Sequence, residues 1–329
     1  MNRSKIEWVD HEWNPITGCT ENCKKCAYNR FILGFGGADY RFNLSKVDMY
    51  QMGDDLMILN NEFILETGHR SDYPFGLLPT YHRYRLNRLG VLSTGKNVLC
   101  GSIGEMFGYD ESWCYEEIFN TCRHYFQNNY LFLSSNPAGY VGLQGLLPTE
   151  DNMWYGSVIY STEDYIYTSG EHNCFIYANP KEDLAGHLLD LDIRADWLIV
   201  GISGCRYGDK KQLPEKQWID NLIEYAQGLN IPVFIESGIC IGYQQPLKKD
   251  YPDQLMWKSG RRYFGEIREK MVGVCCRCKQ EELKQRMIAI SGCTRRREQK
   301  LMGYLCRTCF QKACTDYGLK NILGGTENG

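Results

Sequence analysis

Seven short apolar runs rich in β-formers recur along the first three-quarters of the chain, and they limit its possible folds more than any other feature. They are Trp13–Gly18, Asn97–Ser102, Tyr130–Ser135, Met153–Ile159, Asn173–Ala178, Trp197–Ile202 and Pro232–Glu236. Between them lie stretches of helical period. One is Ser112–Phe126; another is Pro214–Leu229, where Trp218, Leu222, Ile223 and Ala226 are expected to share one face. Strands that alternate with helices pair in parallel through right-handed crossovers. The pattern predicts an α/β fold, either a complete or open barrel or an open doubly wound sheet. In both, ligands bind beyond the carboxyl ends of the strands. Reading past each run gives the loop at Cys19, Gly104-Glu105, Ser134-Ser135-Asn136, Tyr160-Ser161, Asn179, Ser203-Gly204 and Glu236-Ser237-Gly238. Polar groups thus gather at one rim. Turns are polar for conformational reasons of their own, so the rim alone specifies no chemistry.

The 329 residues exceed what one small core needs, so a large domain with an appendage is expected. The first domain is placed at residues 1–250. Its rhythm breaks from Phe31 to Lys96, and insertions this long are functional lids or hold further elements. The insertion contains Gly34-Phe35-Gly36-Gly37, too irregular for a phosphate loop. It also contains Tyr81-His82-Arg83-Tyr84-Arg85, which reads as a solvated face with the chemistry to meet an anionic or aromatic ligand. After about Asp250 the alternation stops. A boundary is placed between Tyr243 and Gly273, and a cysteine-rich module at 270–329. With 43% hydrophobic residues and a net charge of −3, the composition is that of a soluble protein with no basic field for nucleic acid. The first ten residues are polar and no apolar run reaches membrane-spanning length. A cytoplasmic, reducing location with no membrane partner is expected. There the 16 cysteines serve as metal ligands or buried thiols rather than disulfides.

Two cysteine groups stand out. Cys19, Cys23 and Cys26 form C-x3-C-x2-C, a spacing at which three thiolates can hold three irons of a cubane and leave the fourth iron open. A cluster that only carries electrons usually has four cysteine ligands. A structural zinc site short of one ligand, or chance, are the alternatives on spacing alone. The second group is Cys275-Cys276-Arg277-Cys278 with Cys306-Arg307-Thr308-Cys309. Two C-x2-C knuckles supply four thiolates and close a tetrahedral structural zinc site, with Cys275, Cys278, Cys306 and Cys309 as ligands. Cys276 is an alternative to Cys275, and a second iron–sulfur cluster is the other reading. Residues Phe310–Leu319 read as a helix behind the second knuckle, and the metal would supply much of the module's folding energy.

At the N-terminal triad the chain resembles the radical S-adenosylmethionine (SAM) superfamily. More narrowly it is similar to the phage-type three-cysteine-motif family. The pieces that carry the resemblance are Lys5-Ile6-Glu7-Trp8, Trp13-Asn14-Pro15-Ile16-Thr17-Gly18-Cys19, Pro79–Leu86, Gly101–Phe107, Asp196–Gly201 and Phe234-Ile235-Glu236-Ser237-Gly238. They span about Lys5 to Gly238 in order. The resemblance implies a partial (β/α) barrel with a [4Fe-4S] cluster on Cys19, Cys23 and Cys26. It also implies SAM as cofactor, cleaved to a 5′-deoxyadenosyl radical, and an electron donor such as flavodoxin or ferredoxin. SAM would meet Gly104 and Glu105 at the methionine amino group, and Ser135, Asn136 and Ser157 at the ribose or carboxylate. Leu198–Gly204 would line the adenine. The chain departs from the superfamily in having Lys25 where an aromatic residue is usual, with Tyr28 as the substitute. Ile103 stands where a second glycine is usual, and Ser134-Ser135-Asn136-Pro137 replaces the family's commoner Thr-Lys-Arg-Pro run.

The chain is also similar to queuine lyases in combining such a barrel with a cysteine-rich tail and a low net charge. That similarity implies a small nucleobase substrate and radical cleavage of the C–N bond between a cyclopentenediol and the aminomethyl arm of a 7-deazaguanine. Such a base needs a carboxylate for its N–H donors, an amide for its carbonyl edge and an aromatic face. Glu236, Asn14, Asn179, and Trp13 or Tyr177 are the candidates, with Asp183 as a second carboxylate. Two alternatives stay open. One is radical modification or repair of tRNA or DNA, with Arg295, Arg296 and Arg297 as a nucleic-acid arm. The other is a cluster-dependent binding protein without turnover.

Overall fold

The computed structural model describes residues 4–20, 49–52, 56–64, 68–71, 74–93, 95–201, 214–239, 247–256 and parts of 272–312. The chain divides into two compact units. The first comprises Met1–Ile235 with Lys248–Gly260, and the second Glu236–Leu247 with Arg261–Gly329.

The first unit is built on seven parallel strands: β1 (His11–Trp13), β6 (Asn97–Cys100), β7 (Asn129–Ser134), β8 (Met153–Ile159), β9 (Asn173–Ala178), β10 (Trp197–Val200) and β11 (Val233–Ile235). Their spatial order is their order in the chain. That order decides between the two expected architectures. A doubly wound sheet reverses direction at a switch point; here every right-handed crossover steps the same way, so the helices collect on one face. The sheet is a curled, open half-barrel. Between the strands run α1 (Ser112–His124), α2 (Ala138–Gly142), α3 (Ala185–Asp190) and α4 (Lys216–Gly228). The buried face of α4 is Ile219, Leu222, Tyr225 and Ala226. Trp218 and Ile223, expected to share that face, are only half-buried, because they lie at the margins of the helical stripe.

Alternation along the strands separates two cores. On the convex side Val98, Cys100, Tyr130, Phe132, Tyr155 and Cys174 pack with Cys114, Ile118, Phe119 and Cys122 of α1. On the concave side the parallel register places Leu133 beside Gly156, Gly156 beside Phe175, and Phe175 beside Trp197. Trp8, from the segment before β1, packs its ring on Phe175, Tyr177 and Trp197 at 6.0–6.1 Å. Tyr251 packs on Trp197 and Phe234 at 5.0 and 5.3 Å. Gly156 is obligatory here, since a Cβ would sit 2.2 Å from the Phe175 ring. Lys249 ties the last strand to the N-terminal segment, with its ammonium 2.6 Å from the Glu7 carboxylate and 4.3 Å from the Phe234 ring centroid.

The insertion holds regular structure that the apolar pattern does not announce. A second sheet has the order β2 (Ile16–Thr17), β5 (Thr80–His82), β4 (Leu56–Leu59) and β3 (Met49–Met52), and a 3-10 helix covers Arg83–Val91. The expected first strand, Trp13–Gly18, is therefore two strands in two sheets. Pro15 lies between them and has no N–H for a continuous ladder. The Tyr81–Arg85 run is not a solvated face: Tyr81 and His82 are fully buried and Arg85 is 5% exposed. Each has an internal partner. Tyr81 Oη donates to Glu117 at 2.8 Å, Arg85 donates to the Asn14 carbonyl at 2.9 Å, and His82 Nε2 meets Thr17 Oγ1 at 2.8 Å.

In the second unit the described strands are β12 (Val272–Val274), β13 (Glu281–Leu283), β14 (Ile288–Cys293) and β15 (Gln299–Leu305), paired as two antiparallel hairpins. Among the described residues no helix is long and apolar enough to cross a membrane.

Candidate functional site

The rim at the carboxyl ends of β1, β2, β6 and β7 is organised around two glycines. Gly18 and Gly104 have φ of +92° and +91°, a region that side chains with a Cβ rarely adopt. Their backbones also touch. A Cβ on Gly104 would lie 2.0 Å from the Gly18 carbonyl oxygen, and one on Gly18 would lie 2.6 Å from the Leu78 carbonyl. That approach lets the Glu105 N–H donate to the Gly18 carbonyl at 3.0 Å while the Cys19 N–H donates to Leu77 at 2.9 Å. Cys19 is half-buried. Its backbone is thus held from the 101–105 turn and from the insertion. Cys23, Cys26 and Tyr28 lie outside the described residues. Among the described residues no three His, Cys, Asp or Glu side chains are grouped to hold a metal.

Glu105 joins the ends of β6 and β7. It is 4% exposed and receives six donors. Oε1 accepts from Ser134 Oγ at 2.7 Å and from the Met106 and Phe107 N–H groups at 3.1 and 3.2 Å. Oε2 accepts from Ser135 N and Oγ, both at 2.9 Å, and from Asn136 N at 3.2 Å. Two carboxylate oxygens offer about four lone-pair sites, so an incoming ammonium would have to displace a bond already made. Burial pushes the carboxyl up from its ordinary range, and the bonds from Ser134, Phe107 and Ser135 pull it back. Glu105 is the brace that joins the β6 and β7 strand ends. The Ser135 hydroxyl proton is used in that brace. Ser157 takes no part in it. Its alternation places it on the convex side, it is fully buried, and its oxygen accepts from the Tyr167 N–H at 2.9 Å.

Asn14 leaves β1 and fastens the same turn. Its Oδ1 accepts from Ile103 N at 3.1 Å, and its Nδ2 donates to Ser102 Oγ at 3.0 Å. The structure thus brings Asn14, Cys19, Gly104, Glu105, Ser135 and Asn136 into one bonded rim. Tyr177 lies deeper, 3% exposed against Trp8. Asn179 is half-buried after β9, with its N–H on the Ile159 carbonyl at 2.9 Å. Glu236 follows β11 directly, is buried, and groups with the second unit. Trp13 cannot supply a face to a ligand, because it is buried in the convex core with its indole N–H donating to the Arg85 carbonyl at 3.0 Å. Asp183 accepts from the Ala185 N–H at the start of α3, a structural use. In the second unit Cys278 is exposed and Cys309 half-buried; Cys275, Cys276, Cys306 and nearly all of Phe310–Leu319 lie outside the described residues.

Sequence reasoning missed the floor of the site. β7 and β8 are buried throughout except at Leu133 and Val158. Both face the concave side near the carboxyl ends, on either side of Gly156. They are the only residues of the two strands that are not fully buried. Only the three-dimensional packing reveals this, since each residue reads as ordinary strand core. Missed too were Glu12 and Ser102, whose hydroxyl links the ends of β1 and β6.

A curled parallel α/β half-barrel with a braced polar rim at the strand ends belongs, by fold, to the class of parallel-barrel proteins. The chain belongs to the family described as "Protein of unknown function (DUF5131)", whose model matches residues 3–271. No curated protein and no solved structure matches it.

Proposed function

We propose that the chain is a radical SAM enzyme acting on a small nucleobase, a queuine lyase in the reading favoured here. The observation that carries it is the Gly18–Gly104 contact, which fixes Cys19, the first thiol of C-x3-C-x2-C, at the open end of a parallel half-barrel. Cys19, Cys23 and Cys26 would hold a [4Fe-4S] cluster. When bound, the cluster and SAM supply one-electron cleavage of a C–S bond to give a 5′-deoxyadenosyl radical. The protein's part is position and exclusion of water. The Glu105 brace keeps the β6 and β7 ends rigid, Leu133 and Val158 offer an apolar floor, and the aromatic packing around Trp8 closes the inner end. The 5′-deoxyadenosyl radical would take a hydrogen atom from the cyclopentenediol and end as 5′-deoxyadenosine. The substrate radical would break its C–N bond to release the aminomethyl-7-deazaguanine, and one electron from the external donor and one proton would quench the five-membered ring that remains. In the second unit the four knuckle cysteines would hold a structural zinc.

The test is anaerobic reconstitution, reduction and incubation with SAM and queuine. Formation of 5′-deoxyadenosine together with the released aminomethyl base, both read by mass spectrometry, is expected. An intact cluster that yields neither would overturn the assignment. Metal analysis of a Cys278→Ser/Cys309→Ser variant should show zinc lost and iron kept.

A further inference from the structure

Glu12 lies on β1 opposite Leu99, and Leu99 shares its face with Leu131 and Trp154. The carboxylate therefore points to the concave side, where it is half-buried. Two hydroxyls fix it: Oε1 accepts from Ser4 Oγ at 2.6 Å and Oε2 from Ser102 Oγ at 2.8 Å. Ser4 is itself buried at 5% exposure. Each carboxylate oxygen has room for a second donor, so Glu12 keeps two acceptor positions side by side where Glu105 keeps none. Ser102 also accepts from Asn14 Nδ2 at 3.0 Å, which leaves that amide one N–H to give. Leu133 on β7 is two strands away and two residues further along the register, roughly 12 Å from Glu12 along the sheet, within the reach of a substituted bicyclic base.

We propose that Glu12, locked by Ser4 and Ser102 and flanked by Asn14, reads an edge with two adjacent N–H donors and a neighbouring carbonyl, the edge of a 2-amino-4-oxopyrimidine ring. The inference rests on the nucleobase reading above and names the residues that recognise the base. The donor pair meets the two open carboxylate positions, and the carbonyl accepts from the Asn14 amide. A charge-assisted pair of this kind is stronger than two neutral bonds. A site built for donors also rejects an analogue that lacks one, because a fixed acceptor is then left unpaired.

The test is calorimetric binding of 7-deazaguanine and 7-deazahypoxanthine, which lacks the 2-amino donor, to the full-length reconstituted protein. The wild type should prefer 7-deazaguanine by about 10-fold or more. In Glu12→Gln, which turns an acceptor into a donor without a change of size, that preference should fall to about 2-fold or less. Ser102→Ala frees the carboxylate without altering it and should cut the preference by roughly 3-fold; it serves as the test should Glu12→Gln fail to fold by circular dichroism. Undiminished preference in a folded variant overturns the inference and leaves the nucleobase reading standing. So does a loss confined to SAM affinity, which would assign the carboxylate to that cofactor's ammonium. Binding of neither base by the wild type overturns the nucleobase reading and the inference with it.

Discussion

At the scale of single residues, the site depends on two positions where no side chain fits. Gly104→Ala would force a Cβ into the Gly18 carbonyl, at 2.0 Å, in a left-handed backbone region. The expected cost is roughly 3 kcal/mol or more, seen by calorimetry as a melting temperature lower by roughly 6 °C; an unchanged melting temperature would contradict the contact. His82 gives a prediction with a sign. Burial first, then the Arg85 and Arg88 charges, hold its imidazole well below the usual histidine value. The native state therefore refuses a proton that the unfolded chain accepts below about pH 6.5. Stability is complete above that pH and is lost as pH falls, by about 1 kcal/mol between about pH 7 and pH 5.5. His82→Gln should remove that part of the acid sensitivity in paired urea titrations; an unchanged difference would count against a buried neutral imidazole. The sequence makes Cys19 and Gly104 visible as candidates through spacing and strand position. It cannot show that Glu105 is saturated, because six donors converge only when the 101–107 turn meets Ser134–Asn136. Nor can it show the alternation that turns Ser157 outward and Glu12 inward, which needs the pairing register.

At the scale of elements, the apolar runs locate the strands well where the chain is buried on both faces. Met153–Ile159 and Asn173–Ala178 coincide with β8 and β9. The pattern fails at Trp13–Gly18, where one run serves two sheets, and in the insertion. There β4 and β5 are short and separated by a long connection, so no local period survives. The Tyr81–Arg85 run misleads for a similar reason: Arg83 is exposed, but Tyr81 and Arg85 are buried on Glu117 and the Asn14 carbonyl, partners remote in sequence. The floor of the site is an element-scale feature and can be tested as one. Val158→Phe adds bulk at a half-exposed concave position, so SAM-dependent turnover should fall at least about 10-fold while the melting temperature moves by less than about 2 °C. A large thermal loss would mean that Val158 is core rather than floor, and unimpaired turnover would mean that no ligand uses it.

At the scale of the whole molecule, strand order is what ties fold to function. Sequential parallel strands put all crossovers on one side and leave a concave side on which Trp8 packs with Phe175, Tyr177 and Trp197. The second unit, with its antiparallel hairpins, follows a different logic, and its proposed metal would supply part of its folding energy. The central claim is that the Cys19 loop carries a cluster with one iron open to SAM. Electron paramagnetic resonance of the reduced, reconstituted protein tests it most directly. The account predicts a [4Fe-4S]+ signal that changes shape when SAM is added, and its loss in Cys23→Ala. A signal indifferent to SAM, or one that survives Cys23→Ala, would contradict it.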